Sequence, residues 1–478
     1  MAGIDVKLIQ GDRDTLISGV AIDSREVLPG YLFVAVPGRK TDGHRFLENA
    51  RLAGATAILC EYIPPIDFGN MAVTQIKNTN EAVGLICANF YDHPAKDLDL
   101  IGITGTNGKT STAYFIYQLQ RALGVKPGLI STIGVQIDET SYPAYLTTPD
   151  PVTLHKLIYQ MHQEGCSSIT MEVSSHAIDQ QRTIGLDFKE AVFTNITHDH
   201  LDYHGSFKQY IQTKQKFFTD LSKEAVAIIN NDDRNGPFMV QNSSARVVTY
   251  GLKRQADFKG KVLEISTEGL QLEVDGIQWF SPLTGKFNAY NLMACYAWAS
   301  VAGFESIEVL QAMSRLTAPR GRFETIRTTS SAIHAIVDYA HTPDALENVL
   351  ETIRKINRRK LPVITVVGCG GDRDRSKRPL MAKVAKDYSD QIILTSDNPR
   401  FEDPDKILSE MLSGIRNGRE KVLVIADRKQ AIKTGVRLGG KGAILLVAGK
   451  GHETYQEIMG ERKPFDDKEI ILEALNAE

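Results

Sequence analysis

At 478 residues the chain is too long for one hydrophobic core, and a soft prior of about 150 residues per domain gives about three domains. A hydrophobic share of 42% and a charged share of 24% are those of a globular protein. A formal charge of −3 offers no global attraction to nucleic acid or to an anionic membrane, so any anionic ligand must be held by local basic groups.

The start, Met1 to Asp14, is too charged for a signal peptide, and no later stretch is apolar for long enough to span a bilayer; a cytoplasmic protein is expected. Short apolar runs at 31–36 and 55–60 and an amphipathic segment at 81–91 predict a small α/β domain over residues 1–97. Tyr91-Asp-His-Pro94 breaks that helix, and a new strand begins at Leu98.

From there strands at 98–104, 168–173, 191–195 and 225–230 alternate with helices at 110–123 and 207–221, which predicts a parallel sheet covered on both faces. Residues 262–280 alternate apolar and polar, predicting antiparallel strands appended to that sheet before a helix at 288–301. This central, P-loop ATPase-like domain is expected over 98–325. Strands at 335–337, 362–367, 391–395, 422–425 and 443–447, each followed by helical sequence, predict a Rossmann-like third domain over 326–478. Cys60, Cys87, Cys166, Cys295 and Cys369 are scattered without C-x-x-C spacing, so they are expected to be reduced and mostly buried.

The chemistry starts at Ile101-Gly-Ile-Thr-Gly-Thr-Asn-Gly-Lys109-Thr110-Ser111, between a predicted strand and a predicted helix. Gly105 and Gly108 let the backbone approach an anion, and the N–H groups of the Thr106, Asn107 and Ser111 region can point at phosphate oxygens. Lys109 adds positive charge, and the Thr110 hydroxyl can ligate Mg²⁺. These are the parts of an ATP site, in a variant loop with Ile103 where the strict pattern has glycine.

Two clusters follow at strand ends, where ligands of α/β sheets collect: Met171-Glu-Val-Ser-Ser-His176 and Thr194-Asn-Ile-Thr-His-Asp-His-Leu-Asp-Tyr-His204. Glu172 and His200 can complete a magnesium site bridging ATP phosphates. A histidine-rich zinc site is the alternative, but His198, His200, Asp202 and His204 alternate as on a strand or loop rather than with helical ligand spacing.

In the last domain come Val367-Gly-Cys-Gly-Gly-Asp-Arg373-Asp-Arg-Ser-Lys-Arg378 and Thr395-Ser-Asp397-Asn398-Pro399-Arg400, both after predicted strands. Arginine forks suit a carboxylate and Asp397 with Asn398 suits an amine, so together they suit a zwitterionic amino acid. Ala448-Gly-Lys-Gly-His-Glu453 adds Gly449 and the Glu453 carboxylate after another strand.

These residues resemble the Mur ligases of peptidoglycan synthesis. The resemblance runs through Asp23-Ser-Arg-Glu-Val-Leu-Pro-Gly30, the GTNGKTS loop, EVSSHA, TNITHDHLDYHG, GKFNAYN, Arg320-Gly-Arg-Phe323 and DYAHTPDAL. It implies an ATP-dependent acid–amino-acid ligase whose substrates are ATP, UDP-MurNAc-L-Ala-D-Glu and an amino acid. The Asp397-Asn-Pro-Arg400 sequence resembles members that add meso-diaminopimelate rather than L-lysine. The resemblance places the UDP moiety at Ser24, the sugar-dipeptide at Thr147, Thr148, Ser175, Gln180 and Arg182, and ATP near Asn288, Arg320 and Asp338. The TTPDP sequence that starts at Thr147 departs from other members.

Arg373, Asn398, Pro399, Arg400, Gly449 and Glu453 align with the diaminopimelate pocket, with Asp397 beside them. Tyr210-Ile-Gln-Thr-Lys214 matches the context of a carbamylated lysine, although Lys214 alone reads as a helix-surface lysine. Catalysis is then expected from Lys109, Glu172, His200 and Lys214, and magnesium binding from Thr110, Glu172, His200 and the Lys214 carbamate. A monomer is expected, closing about a hinge at Thr317-Ala-Pro-Arg-Gly321. The competing expectations are the L-lysine-adding ligase of the same step, a ligase adding glutamate to folate, and an ATP-hydrolysing switch that needs no amino acid.

Overall fold

The computed structural model describes residue 4 and residues 7–477 except 39, 40, 145, 198–200, 267, 327–331 and 441, and describes no side chain at 201 and 202. Among the described residues the three principal sheets lie within residues 7–75, 99–281 and 324–448.

The first sheet has the strand order Lys7–Gln10, Ala72–Gln75, Ala57–Cys60, Tyr31–Val34 and Gly19–Ala21, antiparallel only at its first pair. Helix Thr79–Phe90 covers one face with Ala82, Val83, Ile86 and Cys87. It begins where the Asn78 side chain accepts the Glu81 N–H, a side-chain cap that satisfies one of the helix's free donors.

The central sheet has eleven strands. Its middle is parallel: Arg246–Gly251, Val226–Asn230, Glu190–Phe193, Asp99–Thr104, Ser168–Glu172 and Pro127–Ser131 in spatial order. Fully buried runs such as Val226–Asn230 belong to strands covered on both faces. Helices Lys109–Ala122 and Lys286–Val301 cover one face through Phe115, Ile116, Leu119, Leu292 and Tyr296. Helices Pro151–Gln163 and Phe207–Thr219 cover the other through Leu154, Ile158, Met161, Phe217 and Phe218.

The alternation at 262–280 is realised as antiparallel strands Phe258–Ile265, Leu270–Val274 and Ile277–Ser281, with Leu270, Leu272 and Val274 buried and Gln271 and Glu273 half-buried. After Asp99–Thr104 the chain builds strands on one side and then crosses to Glu190–Phe193 on the other, so a crevice opens at the carboxyl end of Asp99–Thr104.

The third sheet orders Glu324–Ile326, His334–Asp338, Ile444–Ala448, Val363–Val367, Gln391–Leu394 and Val422–Val424, parallel except at the first pair. Helices pack on both faces. A hairpin absent from the sequence expectations, Tyr455–Ile458 with Glu461–Pro464, docks on the loop after Gln391–Leu394. The five cysteines are free and buried, and among the described residues no helix is long and apolar enough to cross a membrane.

Candidate active site

The phosphate loop lies where the sequence places it, between strand Asp99–Thr104 and helix Lys109–Ala122. Gly108, at φ +87°, caps the helix with a backbone that an L side chain strains to adopt, and a Cβ there would stand 2.6 Å from Asn291 Oδ1. A Cβ on Gly105 would meet Thr194 Oγ1 at 2.0 Å. The next strand end fixes the loop from outside. Asn195 O accepts the Thr106 N–H at 2.8 Å and Asn195 Oδ1 accepts the Asn107 N–H at 3.0 Å, while Thr194 Oγ1 and Asn195 Nδ2 both donate to Asn107 O.

Lys109 Nζ folds onto Gly105 O and Thr106 O at 2.9 and 2.8 Å. Thr110 and Ser111 are buried in the first helical turn, where the helix dipole and free N–H groups favour an anion.

Two of the predicted metal-binding side chains converge beside this loop. Glu172, 1% exposed at the end of its strand, accepts the Thr132 N–H through Oε1 at 2.8 Å, while its buried Oε2 has no hydrogen-bond partner. An orphaned carboxylate oxygen fits a cation ligand, since a buried unpaired carboxylate oxygen is otherwise costly. Lys214 is also 1% exposed, so the helix-surface reading of this residue is overturned. Helix Phe207–Thr219 turns its Nζ inward to Gly105 O at 2.9 Å and Thr104 Oγ1 at 3.3 Å, 5.0 Å from the centre of the Tyr210 ring.

His198 and His200 lie outside the described residues. His204 does not continue a strand: it ends a short helix, Leu201–His204, and its Nε2 lies 3.0 Å from Ser175 Oγ. Among the described residues no group of three or more His, Cys, Asp or Glu forms a metal cluster.

The ATP residues implied by resemblance divide. Asn288 is buried and bonds to Thr284 O and Asn291 Nδ2; one helical turn on, Asn291 Oδ1 accepts from Thr112 Oγ1 and lies against Gly108. Arg320 turns away to pair with Asp466, and it is Arg322 that reaches the loop, donating from Nη2 to Thr110 Oγ1 at 3.2 Å. The Arg322 guanidinium lies 4.6 Å over the Tyr339 ring, and its buried Nε has no partner. Asp338 accepts the Phe323 N–H at 2.7 Å; burial raises its pKa to about 6, against the pull of the Arg322 charge and of N–H bonds from Phe323 and Ala340.

Arg322 and Asn291 were missed as site residues. The i, i+3 spacing of Asn288 and Asn291 was a usable signal, whereas nothing local separates Arg322 from Arg320.

The residues expected at the sugar-dipeptide form one connected group, except Ser24. Thr132 Oγ1 donates to Thr147 Oγ1, Thr148 Oγ1 donates to Glu172 O, and Arg182 Nη1 donates to Thr148 O at 2.6 Å. Arg182 also holds Gln180 Oε1, and the Gln180 amide donates to Tyr203 OH; Ser175 lies three residues beyond the strand of Glu172. Burial lowers the Arg182 pKa from its ordinary value. Ser24 is half-buried in a short helix of the first sheet's domain, after strand Gly19–Ala21.

In the third domain the loops after Val363–Val367, Gln391–Leu394 and Ile444–Ala448 meet. Asn398 Nδ2 donates to Glu453 Oε2 at 2.8 Å, and the Gly449 Cβ position lies 2.5 Å from Asp397 Oδ2. Arg400 Nη1 donates to Gly371 O at 2.7 Å, and Arg373 and Arg400 flank Gly370. Pro399 is buried, its carbonyl against Gly371.

The other arginines of that loop serve structure. Arg378 is fully buried between Glu402 and Glu410, and Arg375 pairs with Glu410. Arg373 remains exposed. Burial and the Asp397 charge raise the Glu453 pKa, with Lys450 and Asn398 opposing. His452, after the Gly449–Gly451 turn, packs its ring on Tyr339, and its buried Nδ1 has no hydrogen-bond partner. Burial and the charges of Arg322 and Arg320 lower its pKa to about 3.

Three family profiles match: "Mur ligase family, catalytic domain" over residues 16–91, "Mur ligase middle domain" over 103–299 and "Mur ligase, glutamate ligase domain" over 321–451. The chain is 49% identical to the UDP-N-acetylmuramoyl-L-alanyl-D-glutamate--2,6-diaminopimelate ligase of Cytophaga hutchinsonii, covering 98% of this chain and 96% of that one. It is 48% identical to the protein of the same name from Phocaeicola vulgatus, over 98% and 97%. A solved structure of a UDP-N-acetylmuramoyl-L-alanyl-D-glutamate--2,6-diaminopimelate ligase superposes with a TM-score of 0.68 at 33% identity, over 96% of this chain and 95% of that one. With three family profiles spread along its length and near-full-length relatives at 49% and 48% identity, the chain belongs to the Mur ligase family.

Proposed function

We propose that this protein joins meso-diaminopimelate to UDP-MurNAc-L-Ala-D-Glu at the expense of ATP. The observation that carries the reading is the crevice in which Arg400 and Arg373 lie beside Asn398, Asp397 and Glu453: cationic forks for a carboxylate next to acceptors for an ammonium. Near-full-length identity of 49% to a ligase of that name supports it. L-lysine offers no second carboxylate to an arginine, so the crevice favours diaminopimelate.

In the first step the γ-carboxylate of the acceptor's D-glutamate attacks the γ-phosphate of ATP, and ADP leaves. With the Thr106 and Asn107 N–H groups held by Asn195, the free N–H groups in the first turn of helix Lys109–Ala122 and Lys109 itself hold the phosphates, and Arg322 neutralises charge on the transferring group. Arg182, Gln180 and the two threonines orient the dipeptide so that its carboxylate faces the loop. In the second step the free amine of diaminopimelate attacks the acyl carbonyl, phosphate leaves, and the amide forms.

Thr110, Glu172 through Oε2, and Lys214 as its carbamate would hold Mg²⁺, together with His200. Mg²⁺ supplies charge that stabilises the phosphoryl oxygens. A soluble monomer in the cytoplasm, with no nucleic-acid partner, fits this role.

The test is a heavy-oxygen label on the D-glutamate γ-carboxylate. The reading predicts one labelled oxygen in the released phosphate and a tripeptide product containing diaminopimelate. Unlabelled phosphate would mean that water attacks ATP, as in a switch.

A further inference from the structure

Lys450 has no place in the reading above, yet it is among the most deeply buried charges of the molecule, at 0% exposure. It stands in the Gly449–Gly451 turn after strand Ile444–Ala448. Its Nζ reaches Asn398 Oδ1 at 2.9 Å, Glu453 Oε2 at 3.2 Å and Asp397 Oδ1 at 3.9 Å, and lies 5.5 Å from the centre of the Tyr455 ring.

An ammonium can only donate, and so can the Glu457 N–H that meets the same atom of Asn398 at 3.0 Å. The amide oxygen of Asn398 is thereby fixed toward Lys450, and its NH₂ group is fixed toward Glu453. The electrostatics agree. Two carboxylates and one ammonium leave a single negative charge in the pocket, which matches one substrate ammonium.

We propose that Lys450 is a positioning residue for the amino-acid substrate. Its ammonium lies against the carboxylates of Asp397 and Glu453 and holds the Asn398 amide in one orientation, so that the pocket accepts the ammonium of the substrate end whose carboxylate meets Arg400. This rests on the proposed amino-acid reading of the crevice. The groups facing the carboxylates are Lys450, Asn398, Tyr339, Tyr455, the buried Cys369 thiol and the buried Arg428, which itself pairs with Asp467. Without Lys450, the burial and the Asp397 charge that already raise the Glu453 pKa act with less opposition, and Glu453 takes up a proton more readily. A carboxylic acid that donates to its neighbour no longer accepts from substrate.

The experiment compares wild type with Lys450→Met and Lys450→Gln, measuring KM for diaminopimelate against pH, kcat at saturation, and KM for ATP. Both variants are expected to raise KM for diaminopimelate on the order of 10- to 100-fold near neutrality. That KM should fall as pH rises and Glu453 ionises, with kcat and KM for ATP little changed. Gln keeps the hydrogen bond to Asn398 without the charge, so a wild-type KM with no added pH slope in Lys450→Gln would overturn the proposal. Loss of kcat with an unchanged KM would overturn it too, by making Lys450 structural.

Titration calorimetry of diaminopimelate into wild-type enzyme, in buffers of different ionisation heat, covers the case in which neither variant folds. No net proton change on binding supports a pocket already ionised; release of about one proton contradicts it. A wild-type enzyme that ignores diaminopimelate would instead sink the functional reading itself, before any variant is compared.

Discussion

A charge carried to 1% exposure, as in Lys214, is stable only where the surroundings take up its hydrogen bonds, and here those are the oxygens of the phosphate loop itself. Carbamylation would turn that cation into an anionic oxygen donor, of the same kind as the orphaned Glu172 Oε2. Lys214→Met should therefore fold, because an apolar chain of similar length tolerates the site, and should lose about 100- to 1000-fold in kcat. Wild-type activity in the variant would remove the lysine from the mechanism.

Glu190 makes a separate prediction, at the opposite end of its strand from the active site. Burial raises its pKa from 4.5 to about 7, with Lys189 opposing and Asp99 reinforcing. The folded protein keeps that proton up to about pH 7 whereas the unfolded chain releases it near 4.5, so stability falls as pH rises through this window and the loss is complete above it. Glu190→Gln should raise Tm above wild type at about pH 8, by at most about 2–3 kcal/mol of stability, and the gain should shrink toward pH 5. An equal gain at both pH values would mean that titration is not the cause. At this scale the contiguous motifs were legible, because a phosphate cradle is made of consecutive residues. Arg320 and Arg322 were not separable, because the turn that sends one to Asp466 and the other to Thr110 depends on contacts with the rest of its domain.

Among elements, the hairpin Tyr455–Ile458 and Glu461–Pro464 extends the crevice around Asn398 and Arg400. Its backbone brackets Arg400, with Arg400 N donating to Glu457 O and Met459 N donating to Arg400 O, and Gln456 Nε2 holds Asp397 O. Met459 and Gly460 turn the chain with φ of +52° and +80°, a two-residue reversal in which a β-branched residue is strained. Gly460→Val should raise KM for diaminopimelate about 10-fold and leave KM for ATP unchanged, read from steady-state kinetics. Equal effects on both substrates would mean that the hairpin is not specific to the crevice.

The hairpin escaped the sequence reading because its second strand, Glu461–Pro464, is exposed throughout and carries no hydrophobic alternation. Its Met459-Gly460 turn was the available signal. The strands of the parallel sheets were legible, because burial on both faces demands continuous apolar runs. Alternating histidines misled at Leu201–His204, where period-two spacing over four residues does not distinguish a strand from one helical turn.

At the scale of the whole molecule the phosphate loop is joined to the third sheet's unit through contacts that no local pattern encodes. Asp344, in the first turn of helix Pro343–Ile356, accepts from Thr197 Oγ1 at 3.1 Å and from Asn107 Nδ2 of the phosphate loop at 3.4 Å. Arg322 also reaches Thr110, and the Asp344 contacts set helix Pro343–Ile356 against the phosphate loop. At the expected hinge, Gln118 of the central domain grips Thr317 through both its backbone and its hydroxyl. Such an arrangement makes chemistry depend on all three substrates, since a free amino-acid crevice leaves the acyl phosphate without its acceptor.

The most direct measurement follows phosphate release with ATP, Mg²⁺ and UDP-MurNAc-L-Ala-D-Glu while adding meso-diaminopimelate, L-lysine or no amino acid, with the product identified by mass. Sustained release and a tripeptide product with diaminopimelate alone are predicted. Preference for L-lysine, or release indifferent to any amino acid, would contradict the account.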